Sequence, residues 1–154
     1  MTATDRTNLR DKVRIAYSAA AEMPQEKHAF PVGRAFAESL GYPAVLLDRL
    51  PAVASDAFAG VSNVSIFAEI PSGATILDLG CGAGLDALIA ARRVGLSGKV
   101  IAVDFSTAML DRARQAVGEA GVSNLELREA GAEQLPIADE EIGSAPQQRP
   151  FHRA

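Results

Sequence analysis

The stretch Ile76–Leu88, ILDLGCGAGLDAL, decides how the rest of the chain folds. An apolar segment runs into glycine at every second position, Gly80, Gly82 and Gly84, and a second apolar run follows directly. TILDLG, from Thr75, reads as a short buried strand, because the apolar run is bounded by glycines. LDALIAARRV, Leu85 to Val94, places Leu85, Leu88 and Ile89 on one helical face. A glycine-rich turn between strand and helix permits positive φ and brings a ligand against backbone at the helix start.

The pattern continues downstream. Gly95 and Gly98 punctuate, and KVIAVD, Lys99 to Asp104, reads as a second apolar strand. A helix from Thr107 to Ala120 follows, with Met109, Leu110, Ala113, Ala116, Val117 and Ala120 at helical spacing. Ser106 is its predicted cap and Gly121 its stop. NLELREA, Asn124 to Ala130, alternates like a third strand. Strand, helix, strand, helix, strand with short connections predicts a right-handed parallel α/β unit, which binds ligands beyond the carboxyl ends of its strands.

Upstream, residues 1–70 read as a helical lid region. Asn8 and Asp11 predict a cap and first-turn acid for a helix through Tyr17 and Ala21. Pro24 and Pro31 break it. AFAESL stops at Gly41, Pro43 opens AVLLDRL as its first helical residue, and Pro51 ends that segment. A loop around Gly60 and Asn63 leads to a brief apolar helix before Pro71-Ser72-Gly73. The expected organisation is therefore 1–70 helical, 71–138 ligand-binding α/β half-domain, and 139–154 a disordered tail.

With 154 residues, 48% hydrophobic and 22% charged, the chain has the composition of one soluble globular domain. A complete domain of that size buries roughly 70% of its unfolded surface. The net charge of −4 gives no electrostatic footprint for nucleic acid. The basic pairs Arg92-Arg93 and Arg112 with Arg114 read as solvated helix faces. A single cysteine, Cys81, excludes an internal disulfide and predicts no thiolate metal site; no metal is expected. Cys81 itself reads as a small residue tolerated in a tight turn. No apolar stretch approaches ~18 residues and the N-terminus lacks an h-region, so a cytoplasmic protein without a membrane partner is expected. His28 and His152 lie in polar or proline-rich surroundings and read as surface residues.

The loop departs from the dinucleotide pattern G-x-G-x-x-G, since Leu85 stands where the last glycine would fall. Asp78, just before the loop, would repel a pyrophosphate but suits a ligand with positive charge, such as S-adenosylmethionine. It also reads as a carboxylate that braces the loop through backbone N–H groups. Asp104 ends the second strand twenty positions after Gly84, at the same sheet edge, where it can accept from both ribose hydroxyls. A helix-capping role beside Ser106 is the other reading. Met109, judged from spacing alone, is core.

The segments ILDLGCGAGLDALIAARRVG, KVIAVDFSTAMLDRARQAV and AEQLP together resemble the class I S-adenosylmethionine-dependent methyltransferases. They are most similar to the branch with arsenite methyltransferase-like and ubiquinone-biosynthesis-type enzymes. The resemblance spans about Pro71 to Pro136, and the upstream GVSN and GYP segments look like that branch too. It implies a partial Rossmann-like α/β fold, with parallel strands in order 3-2-1 and helices, preceded by the helical N-terminal region. It also implies methyl transfer from S-adenosyl-L-methionine to a small-molecule acceptor. By the resemblance, Gly80, Gly82 and Gly84 lie under the methionine portion and Asp78 neighbours its ammonium group, directly or through water. Asp104 takes the ribose hydroxyls, Phe105 and Met109 flank the adenine, and Ala132 with Glu133 meets the adenine edge. Tyr17 and Asn63 are candidates to cover the cofactor. No catalytic residue is indicated.

Two features depart from the family. An acid often precedes the alanine at the adenine edge, and here Gly131 stands there; the missing charged hydrogen bond costs about 1.5–3 kcal/mol of affinity. Family members continue through a sheet ordered 3-2-1-4-5-7-6, whereas only strands 3, 2 and 1 are found here. The chain therefore reads as C-terminally truncated, leaving the DLG strand with an open, apolar edge. An arsenic acceptor is disfavoured, since that chemistry in the family uses several thiolates. Two rivals to the methyltransferase stay open: a non-catalytic cofactor-binding or interaction module, and a nicotinamide-dependent oxidoreductase.

Overall fold

The apolar runs at Thr75, Lys99 and Leu125 become three parallel strands in the computed structural model, which describes residues 3–131 together with residues 134, 137, 138 and 141. β1 (Thr75–Leu79), β2 (Lys99–Asp104) and β3 (Leu125–Glu129) form a sheet in the order β1-β2-β3. Leu77 pairs with Ile101, which pairs with Glu126. The crossover helices are α6 (Leu85–Val94) and α7 (Thr107–Ala120), numbered after five helices upstream of β1. Both pack on one face of the sheet, where Ala87, Ala90, Ala91, Val94 and Leu110 cover Ile76, Val100 and Ala102. Alanine at the contact positions lets α6 approach the strands closely. On the opposite face Leu77, Ile101 and Val103 cluster with Leu79, Ala130 and Ile137.

The bounds of α6, β2 and α7 are those the sequence predicts. Ser106 Oγ accepts from the Met109 N–H at 3.3 Å, and Gly121 ends α7 at φ 64°. Among the described residues β2 is the one strand paired with β1, which stands at the sheet edge with Ile76, Leu77 and Asp78 buried. The expected tail, 139–154, lies outside the described residues except for Glu141.

Upstream of β1 the helices are α1 (Ala3–Glu22), α2 (Arg34–Ser39), α3 (Ala44–Leu47), α4 (Ala52–Asp56) and α5 (Val64–Phe67). Helix α1 starts five residues before the predicted cap, so Asn8 lies inside a helix. No Gly or Pro interrupts the segment, and Asp5 supplies the first-turn acid that Asp11 was expected to provide. Pro43 and Pro51 each stand one residue before a helix, with ψ 131° and 129°. Pro51 thus ends one segment and opens α4, a helix the sequence does not announce.

These short helices are held by packing rather than propensity. Tyr42, Leu47, Leu50, Ala54 and Phe58 share one buried cluster with Leu85, Leu88, Ile89 and Ala116 of α6 and α7. Two of the four arginines read as solvated have other work. Arg112 donates to the carbonyls of Ala21 and Val53, and Arg93 donates to those of Ser65 and Ala68. Each satisfies carbonyls at or near the ends of helices, which lack intrahelical partners. Arg114 pairs with exposed Asp111.

The outer strand β3 carries charge. Glu126 meets Lys99 at 2.8 Å and Arg128 at 2.7 Å, and Arg128 makes a two-pronged contact with Glu141 at 2.8 and 2.9 Å. Hydrogen bonds from Arg128, then Lys99, hold Glu126 down at about 2. Arg128, then the Ala138 N–H, hold Glu141 at about 2. Both carboxyls are depressed on folding from 4.5, so their contribution is complete above pH ~4.5 and is lost as pH falls towards 2. Solvent access at Glu126 and Glu141 keeps the effect modest. Arg128→Met should therefore lower the melting temperature at pH 7, and the gap from the native chain should shrink steadily below pH 4.5. A gap that stays constant down to pH 2.5 would contradict this.

Candidate functional site

The glycine loop hangs from the end of β2. The N–H groups of Gly80 and Cys81 both donate to the Val103 carbonyl, at 2.7 and 3.0 Å. The Gly84 N–H donates to the Cys81 carbonyl at 2.9 Å, which closes the turn before α6. Gly80 and Gly82 take φ of 72° and 54°, a region L side chains adopt only with strain. Cys81 is buried in this turn.

Asp104, 7% exposed, locks the loop in place. Its Oδ2 accepts from the Gly82 N–H at 2.8 Å, and its Oδ1 accepts from the Ser106 N–H at 2.8 Å. One carboxylate thus stitches the glycine loop to the start of α7. A carboxylate offers about four acceptor positions, so two N–H bonds do not by themselves exhaust it.

The loop's own donors are largely spent: Gly80, Cys81, Gly82 and Gly84 all direct their N–H groups at protein acceptors. A phosphate-binding loop works by pointing such groups at the ligand. This loop offers close approach to backbone instead, beside a carboxylate. Such an environment suits a neutral or cationic ligand better than a pyrophosphate.

In front of the loop lies a cavity of about 240 Å³, lined by Gly80, Gly82, Asp104, Phe105 and Met109. The facing wall comes from the N-terminal region, chiefly Val13, Tyr17, Phe58, Gly60 and Val61. Ligand pockets commonly run from about 300 Å³, so the described walls enclose part of a ligand-sized site. Tyr17 stacks on Phe30 at 4.7 Å and stands edge-on to Phe105 at 6.4 Å. A Cβ at Gly80 would meet nothing within 4 Å, and one at Gly82 would come no closer than 4.0 Å to Met109 Sδ. The cradle is open on the side a ligand would use.

The structure thus brings together five residues singled out in the sequence: Gly80, Gly82, Asp104, Phe105 and Met109. Two others do not line the cavity. Asp78 is buried on β1, at 3% exposure. Gly84 is pressed against α7, where a Cβ would stand 3.2 Å from the Ala113 Cβ. Ala132 and Glu133 lie outside the described residues. Of the two candidate covering residues, Tyr17 lines the cavity; Asn63 does not, and donates to the Leu40 carbonyl at 2.5 Å.

Sequence reasoning missed Val13 and Phe58 of the facing wall, which carry no motif and arrive through tertiary packing; Gly60 and Val61 belong to the GVSN segment it singled out. It also missed Asp86, a buried acid in the first turn of α6. His28 contacts the Met23 carbonyl at 2.9 Å, away from the cavity, and His152 lies outside the described residues. Among the described residues no group of three His, Cys, Asp or Glu side chains is placed to hold a metal ion, and no helix is long and apolar enough to cross a membrane.

A parallel α/β unit with a glycine turn and an acid at the next strand's tip defines a nucleoside-binding class of protein. Residues 76–145 match the family described as a methyltransferase domain. The chain is 41% identical over 107 residues to an arsenite methyltransferase from Halobacterium salinarum, a match covering 68% of this chain and 27% of that protein. It is 53% identical over 47 residues to a 2-phytyl-1,4-naphtoquinone methyltransferase from Thermosynechococcus vestitus, covering 30% of this chain and 21% of that one. Among solved structures, an arsenic(III) S-adenosylmethionine methyltransferase from Chlamydomonas reinhardtii is 26% identical, covering 65% of this chain and 32% of that one, with a TM-score of 0.42. Residues 76–145 are therefore similar to a methyltransferase domain, and the longer match, reaching 68% of this chain, is likewise to a methyltransferase. The matched regions span about a quarter of the length of these curated relatives.

Proposed function

We propose that the chain forms the nucleoside-binding half of an S-adenosylmethionine-dependent methyltransferase that acts on a small-molecule acceptor. The observation that carries this is the Asp104 carboxylate on the cavity wall, held by two backbone N–H groups beside a loop whose own donors are spent. That arrangement favours a ribose-bearing cation over a dinucleotide pyrophosphate.

The residues present fit the cofactor. Asp104 would accept from the ribose hydroxyls, Phe105 and Met109 would flank the base, and Gly80 and Gly82 leave room for the methionine portion against the backbone. Asp78, behind the loop, would act on the ammonium group only at a distance or through water. When bound, the cofactor supplies an electrophilic methyl group on a sulfonium. The chain's own work is alignment and exclusion of water, with Tyr17, Phe58 and Val61 forming the facing wall. No side chain needs to move a proton when the acceptor is already nucleophilic. A buried thiol, Cys81, suits a reducing, cytoplasmic setting.

One observation favours a second reading. Among the described residues β1 stands at the sheet edge, so the chain would serve as a cofactor-binding module without turnover unless further sheet completes it. Titration calorimetry tests the proposal. S-adenosylmethionine should bind saturably at one site and NADH far more weakly. NADH binding more tightly than S-adenosylmethionine would overturn it, and saturable binding with no methylation of any acceptor would favour the module.

A further inference from the structure

We propose that Asp86 is a positioning residue that holds the facing wall of the cavity at its working distance from the glycine loop. The inference rests on the cofactor-site reading above for its consequence, but not for its geometry. Asp86 is buried, 4% exposed, and lies two residues beyond Gly84. It does not line the cavity, so it contacts no ligand there. Its Oδ1 accepts from the Tyr42 hydroxyl and from the Ser65 hydroxyl, each at 2.5 Å. Both donors are buried.

Ser65 lies on α5, four residues beyond Val61 of the wall. Arg93, seven positions along α6 from Asp86 and so on the same helical face, donates to the Ser65 carbonyl. α6 therefore grips this residue twice, by hydroxyl and by carbonyl. Tyr42 extends the grip, since its hydroxyl also lies 3.3 Å from the Ser62 carbonyl. Asn63 pins the same loop to Leu40. Gly60 and Val61, on one side of the cavity, are thus tied through residues 62–65 to the turn that begins α6. The other end of that turn is the glycine cradle itself.

Packing alone would not require an acid here, because apolar residues fill buried positions without the cost of desolvating a charge. A carboxylate gains on two counts: it strengthens two hydroxyl hydrogen bonds converging on one oxygen, and it sits favourably in a helix's first turn.

The test pairs amide hydrogen exchange with S-adenosylhomocysteine affinity, on the full chain and on Asp86→Ala and Asp86→Asn. In the ligand-free Asp86→Ala chain, amides 60–66 should exchange about tenfold faster or more, while those of β2 change far less. Affinity should fall about tenfold. Asp86→Asn retains an acceptor oxygen and should recover most of both losses. If Asp86→Ala does not fold, Ser65→Ala and Tyr42→Phe each remove one donor and should give the same localised pattern at smaller size. Exchange that rises uniformly across the sheet, or an affinity unchanged in Asp86→Ala, would overturn the proposal. Failure of the native chain to bind S-adenosylhomocysteine would instead refute the cofactor reading, and the exchange result would still decide whether Asp86 holds the wall.

Discussion

Asp104→Ala is expected to abolish cofactor binding at any practical concentration. The substitution removes the acceptor proposed for two ribose hydroxyls, and a hydrogen bond to a charged group contributes about 1.5–3 kcal/mol. Two such bonds amount to roughly two to four orders of magnitude in affinity. It also releases the Gly82 and Ser106 N–H groups, so the cradle loses the brace that shapes it. Asp104→Asn should weaken binding by about a hundredfold or more, because its amide nitrogen must face one of those two N–H donors. Calorimetric titration of both variants checks this, with circular dichroism to verify folding. A loss below about tenfold in Asp104→Ala would show that this carboxylate does not hold the nucleoside.

The largest effect on stability is expected at Gly98, far from the cavity. A Cβ there would lie 2.4 Å from the Val94 Cβ and 2.7 Å from the Ala74 carbonyl oxygen. The Ala74 oxygen cannot retreat freely, because it accepts the Lys99 N–H at 2.9 Å where β2 meets the start of β1. Gly98→Ala must therefore push the end of α6 off the sheet or break that bond. Overpacking of this kind costs about 1–3 kcal/mol, and a broken buried bond adds about 1. In a domain of this size each kcal/mol lowers the melting temperature by about 2–4 °C. Thermal and urea unfolding of the variant should show a loss near 3 kcal/mol, and a loss under ~0.5 kcal/mol would mean the contact relaxes without cost.

The contrast between these two positions shows what the sequence discloses. Gly98 reads as punctuation between a helix and a strand; that it is wedged between the Val94 side chain and the Ala74 carbonyl depends on how α6 lies across β1. The sheet and its two crossover helices were legible because their signals are local. Ser106 and Gly121 bracket α7 by cap chemistry, and the alternating or continuous apolar runs set β1, β2 and β3. The helices before the sheet were harder. Pro51 signals a boundary, yet α4 exists because Ala54 and neighbouring Phe58 are buried against α6 and α7, which no local pattern reports.

The site divides in the same way. Gly80, Gly82, Asp104, Phe105 and Met109 come from two consecutive strand–helix turns, so a motif and a spacing locate them. The opposing wall comes from α1, α4 and the loop before α5; the GVSN segment marks Gly60 and Val61, but nothing in Val13 or Phe58 advertises the rest. Charge was misleading at two arginines. Arg93 and Arg112 carry the look of solvated helix residues but clamp carbonyls of the N-terminal region. Asp78, expected beside the ammonium group directly or through water, is buried on β1 off the cavity wall, a position compatible with the water-mediated contact.

Where the nucleoside sits decides the central claim. A crystal of the chain grown with S-adenosylhomocysteine should show the ribose hydroxyls within hydrogen-bonding distance of Asp104, the base between Phe105 and Met109, and the amino-acid end against Gly80 and Gly82. Electron density for the ligand at any other surface, or a ribose turned away from that carboxylate, would contradict it.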